Sequence, residues 1–334
     1  MPKTKFCQGI SDISDSYRAF LIDQWGTLHD GHKVNEAALT ALKELRGRQK
    51  TVYLIANAPV RERENKDLLK RMGIGPTLYD AIITPAEVLA QELKTRNAAP
   101  FQGMGSKVFC FNQNGLQPYL ESCGLTVVAT MDDADFALIT GTDRLLKPAP
   151  AWEEELRAAL RRSLRLVSVT PEASALMMMD YMMGVGQILK RYAEMGGIVV
   201  HVGKPYKHIF QYCLNKLAAQ DIFPAQTVMI GDHMGQDVFG AAQLGLDTCL
   251  LRAGSHWGAF RNAKTLAETD RILQGLILQF GNVVPTYLID TFVWGRVLPD
   301  RKHRKRRELT PRRGRRVRRT DGSAETGTTG SHDV

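Results

Sequence analysis

Five side chains stand where an apolar run gives way to a polar loop. Asp23 closes Phe20-Leu-Ile-Asp23, and Asn57 follows Thr51-Val-Tyr-Leu-Ile-Ala56. Lys204 lies in Val202-Gly-Lys-Pro205, and Asp232 and Asp237 lie in Gly231-Asp-His-Met-Gly-Gln-Asp237. If the runs before them are parallel strands, their carboxyl ends meet along one edge, where open α/β sheets bind ligands. A carboxylate placed there can be a nucleophile, a metal ligand, or both. Two or three carboxylates with one lysine suit Mg2+, which takes oxygen from one or two carboxylates and from a substrate phosphate. The lysine would offset charge on a phosphoryl group and on a nucleophilic Asp. Each residue alone reads equally well as part of a turn or a surface ion pair. All of them at strand ends argues for a site.

The elements that would position them alternate in type. Ala19–Asp23 and Thr51–Ala56 read as continuous apolar strands, and Ala37–Arg48 between them as a helix with Ala38, Leu39, Leu42 and Leu45 at helical spacing. Arg61–Met72 is a charged helix, Asp80–Thr84 a short strand, and Pro85 opens a helix that runs to Lys94. After a looser stretch over 96–106 the alternation restarts, with strands at Lys107–Phe111, Thr126–Ala129, Phe136–Thr140 and Leu164–Val169 and helices at Leu116–Cys123 and Trp152–Arg162. The main pattern resumes with helix Gly186–Met195, strand Ile198–His201, helix Tyr206–Ala219, strand Thr227–Ile230, helix Val238–Leu244, strand Thr248–Leu251 and helix Ala267–Gln279. Strands alternating with helices predict an α/β fold with a doubly wound parallel sheet, Rossmann-like, into which a smaller α/β unit is inserted. The Met-rich stretch Leu176–Met183 reads as adaptable packing rather than a Met-based binding surface.

Composition narrows the class. The chain has 334 residues and a formal charge of +9, but 13 of its 44 Lys/Arg and 5 of its 35 Asp/Glu lie in residues 296–334, which leaves 31 against 30 elsewhere. The segment 295–334 therefore reads as a basic tail with too little apolar surface to fold. Its arginines have no interleaved aromatics, so an extension outside the fold is favoured over nucleic-acid contact. No apolar run is long enough for a membrane span, and no secretion signal is read at the start. The five cysteines are dispersed with no C-x-x-C pair, which argues against a zinc site or disulfide framework and for a cytoplasmic setting.

The stretches Asp23-Gln-Trp-Gly-Thr-Leu-His-Asp-Gly31, Val202-Gly-Lys-Pro-Tyr206 and Gly231-Asp-His-Met-Gly-Gln-Asp-Val-Phe-Gly-Ala241 resemble, in order and spacing, the haloacid-dehalogenase-like hydrolase superfamily. The likeness covers about residues 15–294. It is to subclass IIA, with a NagD-like cap, and looks closest to an uncharacterised bacterial branch with Trp two residues after the nucleophile. The resemblance implies core segments at 1–84 and 184–294 flanking a cap at 85–183. It implies an Mg2+-dependent phosphatase of a small phosphorylated metabolite, with homodimerisation allowed for and no membrane partner. By position, Asp23 would form an aspartyl-phosphate and Lys204 would hold it and the phosphoryl oxygens. Asn57 and Gly26 would bind phosphate. Asp23, the backbone carbonyl of Trp25, Asp232 and Asp237 would face the metal. Glu172, in Thr170-Pro-Glu172, would contact the leaving group, and His29 or Asp30 would be the candidates in the loop to supply a proton.

Two positions depart from the family pattern. Trp25 stands where phosphatases carry a second Asp as general acid/base, and proton transfer of that kind is worth about 10²–10⁴-fold. Ala56 stands where a Ser or Thr hydroxyl binds phosphate. The expectation is a slow phosphatase, with a catalytically weak member that mainly binds a phosphorylated ligand or a protein as the alternative.

Overall fold

The computed structural model describes residues 3–58, 60–96, 99–111, 117–140, 149–169 and 179–295. Its strands are β1 Lys5–Phe6, β2 Ala19–Asp23, β3 Thr51–Ile55, β4 Ala81–Ile83, β5 Lys107–Cys110, β6 Thr126–Val127, β7 Phe136–Ile139, β8 Arg165–Ser168, β9 Ile198–His201, β10 Thr227–Gly231, β11 Asp247–Leu251 and β12 Tyr287–Ile289. They form two parallel sheets, one ordered β1-β12-β11-β10-β2-β3-β4 and the other β6-β5-β7-β8-β9. Register places Ile230 beside Ile22 and Asp23 beside Ile55, so β10, β2 and β3 end at one level.

The packing follows the two-residue period of strands. Ala19 and Leu21 of β2 and Tyr53 and Ile55 of β3 enter one core, while Phe20, Ile22, Val52 and Leu54 enter another on the opposite face. A sheet covered on both faces needs near-continuous apolar strands, which these are. The first core also takes Val108, Cys110, Leu138 and Val167 from the second sheet, joined through Val88, Leu89 and Leu93 of helix Pro85–Thr95 and Ile209, Phe210 and Cys213 of helix Lys207–Ala218. The other face of the second sheet closes on Phe109, Phe111, Trp152 and Tyr192. Caps define the helix starts that flank the site. Asn35 accepts from Ala37 N before helix Glu36–Gly47, and Thr84 accepts from Glu87 N with Pro85 in the first turn.

Three elements differ from their sequence reading. β9, placed with the core's second part at 184–294, pairs with β8 from Arg165↔Ile198 to Ser168↔His201, and helix Met179–Glu194 packs on both. Residues 184–201 thus belong with the second sheet. Periodicity identifies a strand, but its partner is set by non-local pairing. β1, where the sequence pattern assigns no strand, lies at the edge beside β12. The segment read as a loop leading into a helix at Val238 is already a π-helical turn over Met234–Phe239. Glu172, Leu176–Met178 and the segment 296–334 lie outside the described residues. No described helix is long and apolar enough to cross a membrane.

Candidate active site

Asp23 is the last residue of β2 and is 6% exposed. Its Oδ1 accepts from Lys204 Nζ at 2.5 Å, and its Oδ2 from Thr27 Oγ1 at 3.3 Å. Lys204 Nζ also donates to Asp237 Oδ1 at 2.6 Å, and Asp237 Oδ2 accepts from His233 N at 3.0 Å. Asp232 Oδ2 accepts from both Ser255 N at 2.7 Å and Ser255 Oγ at 3.0 Å. One oxygen from each of Asp23, Asp232 and Asp237 lies within 4.8 Å of the others, and all three residues are buried. The structure thus brings together the four charged residues singled out in the sequence.

How Lys204 arrives differs from the sequence reading. It follows β9, a strand of the other sheet, so strand register does not place it beside Asp23. Asn57 does. The Asn57 amide accepts from Lys204 N at 2.7 Å and donates to Lys204 O at 2.9 Å, and its second N–H reaches Gln236 Oε1 at 3.2 Å. Both amide donors are spent on protein. Asn57 therefore clamps the Lys204 backbone at the site.

Gly26, expected as a phosphate-binding position, lies in the turn just after Asp23. Its N–H donates to His29 O at 2.8 Å. Its φ is +80°, and a Cβ there would lie 2.1 Å from Asp232 Oδ2, so glycine is needed to admit that carboxylate. His29 is buried, with Nδ1 accepting from Gly31 N at 3.1 Å, so it braces the loop. Ala56 contributes its N–H to Ile83 O. Ser255 was not singled out in the sequence. Only the pairing of β11 with β10 marks it, because it lies just past β11 and loops after adjacent parallel strands share an edge.

With all three carboxyls ionised, the single ammonium would leave the site two charges negative, and the protein resists that state by holding protons. Burial pushes the Asp23 carboxyl up; Lys204 opposes this, Asp237 and Asp232 add to it, and the result is about 8. Burial, with Asp237, raises Asp232 to about 6 despite the Ser255 hydrogen bonds. For Lys204, burial favours the neutral amine, but Asp23 and Asp237 outweigh it and hold the ammonium charged. Clustered oxygen donors with excess negative charge fit a hard divalent cation.

Comparison with known proteins agrees with this geometry. Residues 20–126 match the family model for haloacid dehalogenase-like hydrolase, and residues 201–276 match a second one for the hydrolase-like segment of the same group. Together they span more than half of the chain and both halves of the site. The chain belongs to the haloacid dehalogenase-like hydrolases. It is similar to the 5'-nucleotidase YutF of Bacillus subtilis, 23% identical over 242 residues that cover 72% of this chain and 88% of that protein. It is also 23% identical to an acid sugar phosphatase of Staphylococcus saprophyticus, over 72% of this chain and 88% of the relative. Its fold is that of a haloacid dehalogenase-like hydrolase from Brucella suis 1330, with TM-score 0.63, 20% identity and coverage of 86% of this chain and 99% of the other. A haloacid dehalogenase-like hydrolase with a second parallel α/β sheet as its cap accounts for both sheets described above.

Proposed function

We propose that the protein is an Mg2+-dependent phosphatase of a small phosphorylated metabolite, with Asp23 as nucleophile. The observation that carries this reading is the Asp23 carboxylate held on Lys204 at the sheet edge, facing Asp232 and Asp237. An Asp23 oxygen bonds to phosphorus as the ester P–O bond breaks, and water then attacks the aspartyl-phosphate to release phosphate and restore the carboxylate. Lys204 holds the nucleophile in line and faces the phosphoryl oxygens. Asp232, Asp237, Asp23 and the Trp25 carbonyl would hold a bound Mg2+, whose chemistry is to neutralise charge on the transferring group. Trp25 supplies no proton, so the leaving group departs with a proton from water, which favours good leaving groups. The names of two relatives, a 5'-nucleotidase and an acid sugar phosphatase, support the substrate class. A screen of phosphorylated metabolites on purified protein, with Mg2+ and with EDTA, tests it. No turnover of any ester in Mg2+ would leave a protein that binds without hydrolysing.

The raised carboxyl of Asp23 gives the metal-free protein a pH signature. Between about pH 6.5 and 8 the folded state still holds the Asp23 proton, while the unfolded chain, with carboxyls near 3.9, has released it. The folded state then binds more protons than the unfolded one, so stability falls as pH rises, by about 1–2 kcal/mol over that window. Below 6.5 the buried His29 and the half-buried His208, His233 and His256, all held low by desolvation, act in the opposite direction. Thermal melting in EDTA at pH 6.5 and 8.5 should show the fall, and Mg2+ should reduce it. A flat profile would mean that Asp23 is ionised throughout.

Ser255→Ala should weaken Mg2+ binding about tenfold, the lower end for loss of a group that orients a ligand, since Ser255 N still holds one Asp232 oxygen. Titration calorimetry of metal-free protein checks this, and Ser255→Thr should restore most of the affinity.

A further inference from the structure

The Trp25 side chain, unlike its carbonyl, has no part in the steps above, yet it has a seat built for it. Trp25 is 49% exposed, two residues beyond Asp23. Chain that continues the strand direction puts side chains at i and i+2 on the same side. The indole lies against Gly31, whose φ is +92° and where a Cβ would come within 2.3 Å of the ring. His29 packs edge-on against it, with ring centroids 6.0 Å apart at 79°. His29 is itself pinned, through Nδ1 by Gly31 N and through its carbonyl by Gly26 N. With Gly31 and His29 against it, the indole remains about half exposed. Single exposed apolar residues are ordinary, and Trp257, Leu266 and Leu278 are more exposed than Trp25. What sets Trp25 apart is the glycine seat and its position two residues after Asp23.

We infer that Trp25 is a stacking platform, and that the substrates are phosphate monoesters bearing a flat aromatic ring, of which nucleoside 5'-monophosphates are the simplest. This rests on the phosphatase reading of Asp23. Two residues of extended chain span about 6.6 Å, which leaves room for a pentose between a phosphoryl group at Asp23 and a base over Trp25. Stacking of a base on an aromatic side chain is sequence-tolerant, because every base has a π-face. The platform therefore selects for a ring without naming which base.

Adenosine 5'-monophosphate and ribose 5-phosphate differ by the base alone, so their ratio of kcat/KM isolates the platform. Wild type should prefer the nucleotide. Trp25→Ala should cut that preference about tenfold, and Trp25→Phe should restore most of it. A ratio unchanged in Trp25→Ala overturns the proposal, even if both esters are hydrolysed well. A second readout is independent of turnover: in Asp23→Asn, adenosine 5'-monophosphate should quench tryptophan emission and ribose 5-phosphate should not, with the quench lost when Trp25→Ala is added. If wild type hydrolyses neither ester, the phosphatase reading fails for them while the quench still decides the platform. A quench that survives the loss of Trp25 overturns it.

Discussion

Asp23→Asn should lower phosphomonoester turnover by about 10⁴-fold or more while leaving the fold at least as stable as before. The first half follows from chemistry. An amide cannot form the acyl-phosphate, and loss of a nucleophile that works with its partners as a unit costs on that scale. The second half follows from charge. Asp23 is buried beside Asp232 and Asp237, and its carboxyl sits near 8, so at pH 8 the folded metal-free protein holds an anion that burial disfavours. Asn is nearly isosteric and neutral, and Lys204 keeps its bond to Asp237. Melting in EDTA at pH 8 should then give a midpoint equal to or above wild type, and the fall between pH 6.5 and 8.5 should shrink. Hydrolysis of p-nitrophenyl phosphate in Mg2+ gives the rate. Undiminished activity would sink the nucleophile assignment. A midpoint several degrees lower would show Asp23 to be a structural anchor rather than a group held at the expense of stability, as functional groups commonly are.

The parts of this architecture legible in the sequence are those whose signal is local. β2, β3 and β10 are short runs buried on both faces, so composition alone marks them, and Asp23 and Gly231 at the ends of β2 and β10 mark the edge where a site forms. What composition does not carry is partnership. β9 looks like another core strand because it is apolar, but its pairing with β8 depends on chain that is distant in sequence. The same limit applies to roles. Asn57 was found by position, whereas its job, holding Lys204 by both backbone groups, depends on a residue 147 positions away. Ser255 was missed because a loop serine carries no pattern until β11 is known to lie beside β10. Gly26 and Gly31 show the reverse case. Glycine in a polar loop reads as a turn, yet one makes room for the Asp232 carboxylate and the other for the Trp25 indole. Close approach of two side chains to bare Cα atoms leaves no trace in spacing.

Lys204→Met should be the most damaging single change to the fold at neutral pH, costing about 3–5 kcal/mol. Met matches the length of the lysine stem, so packing is nearly kept and the loss is electrostatic. Three buried carboxylates would then face one another with no cation among them, and removing one partner of a buried ion pair carries a penalty of that size. The backbone at 204 stays clamped by Asn57, which prevents the loop from swinging out to relieve the repulsion. Two consequences separate this account from simple loss of contact. With the ammonium gone, Asp23 and Asp232 should hold their protons to higher pH. The folded state then binds protons that the unfolded chain lacks, and stability should recover as pH falls from 8 toward 6.5, more steeply than in wild type. Mg2+ should also raise the melting midpoint more in the variant than in wild type, because a divalent cation can replace the missing positive charge. Melting at both pH values, with EDTA and with Mg2+, reads all of these effects. A variant as stable as wild type in EDTA at pH 8 would mean that the three carboxylates are not held in one charged cluster, and the metal-site reading would fall with it.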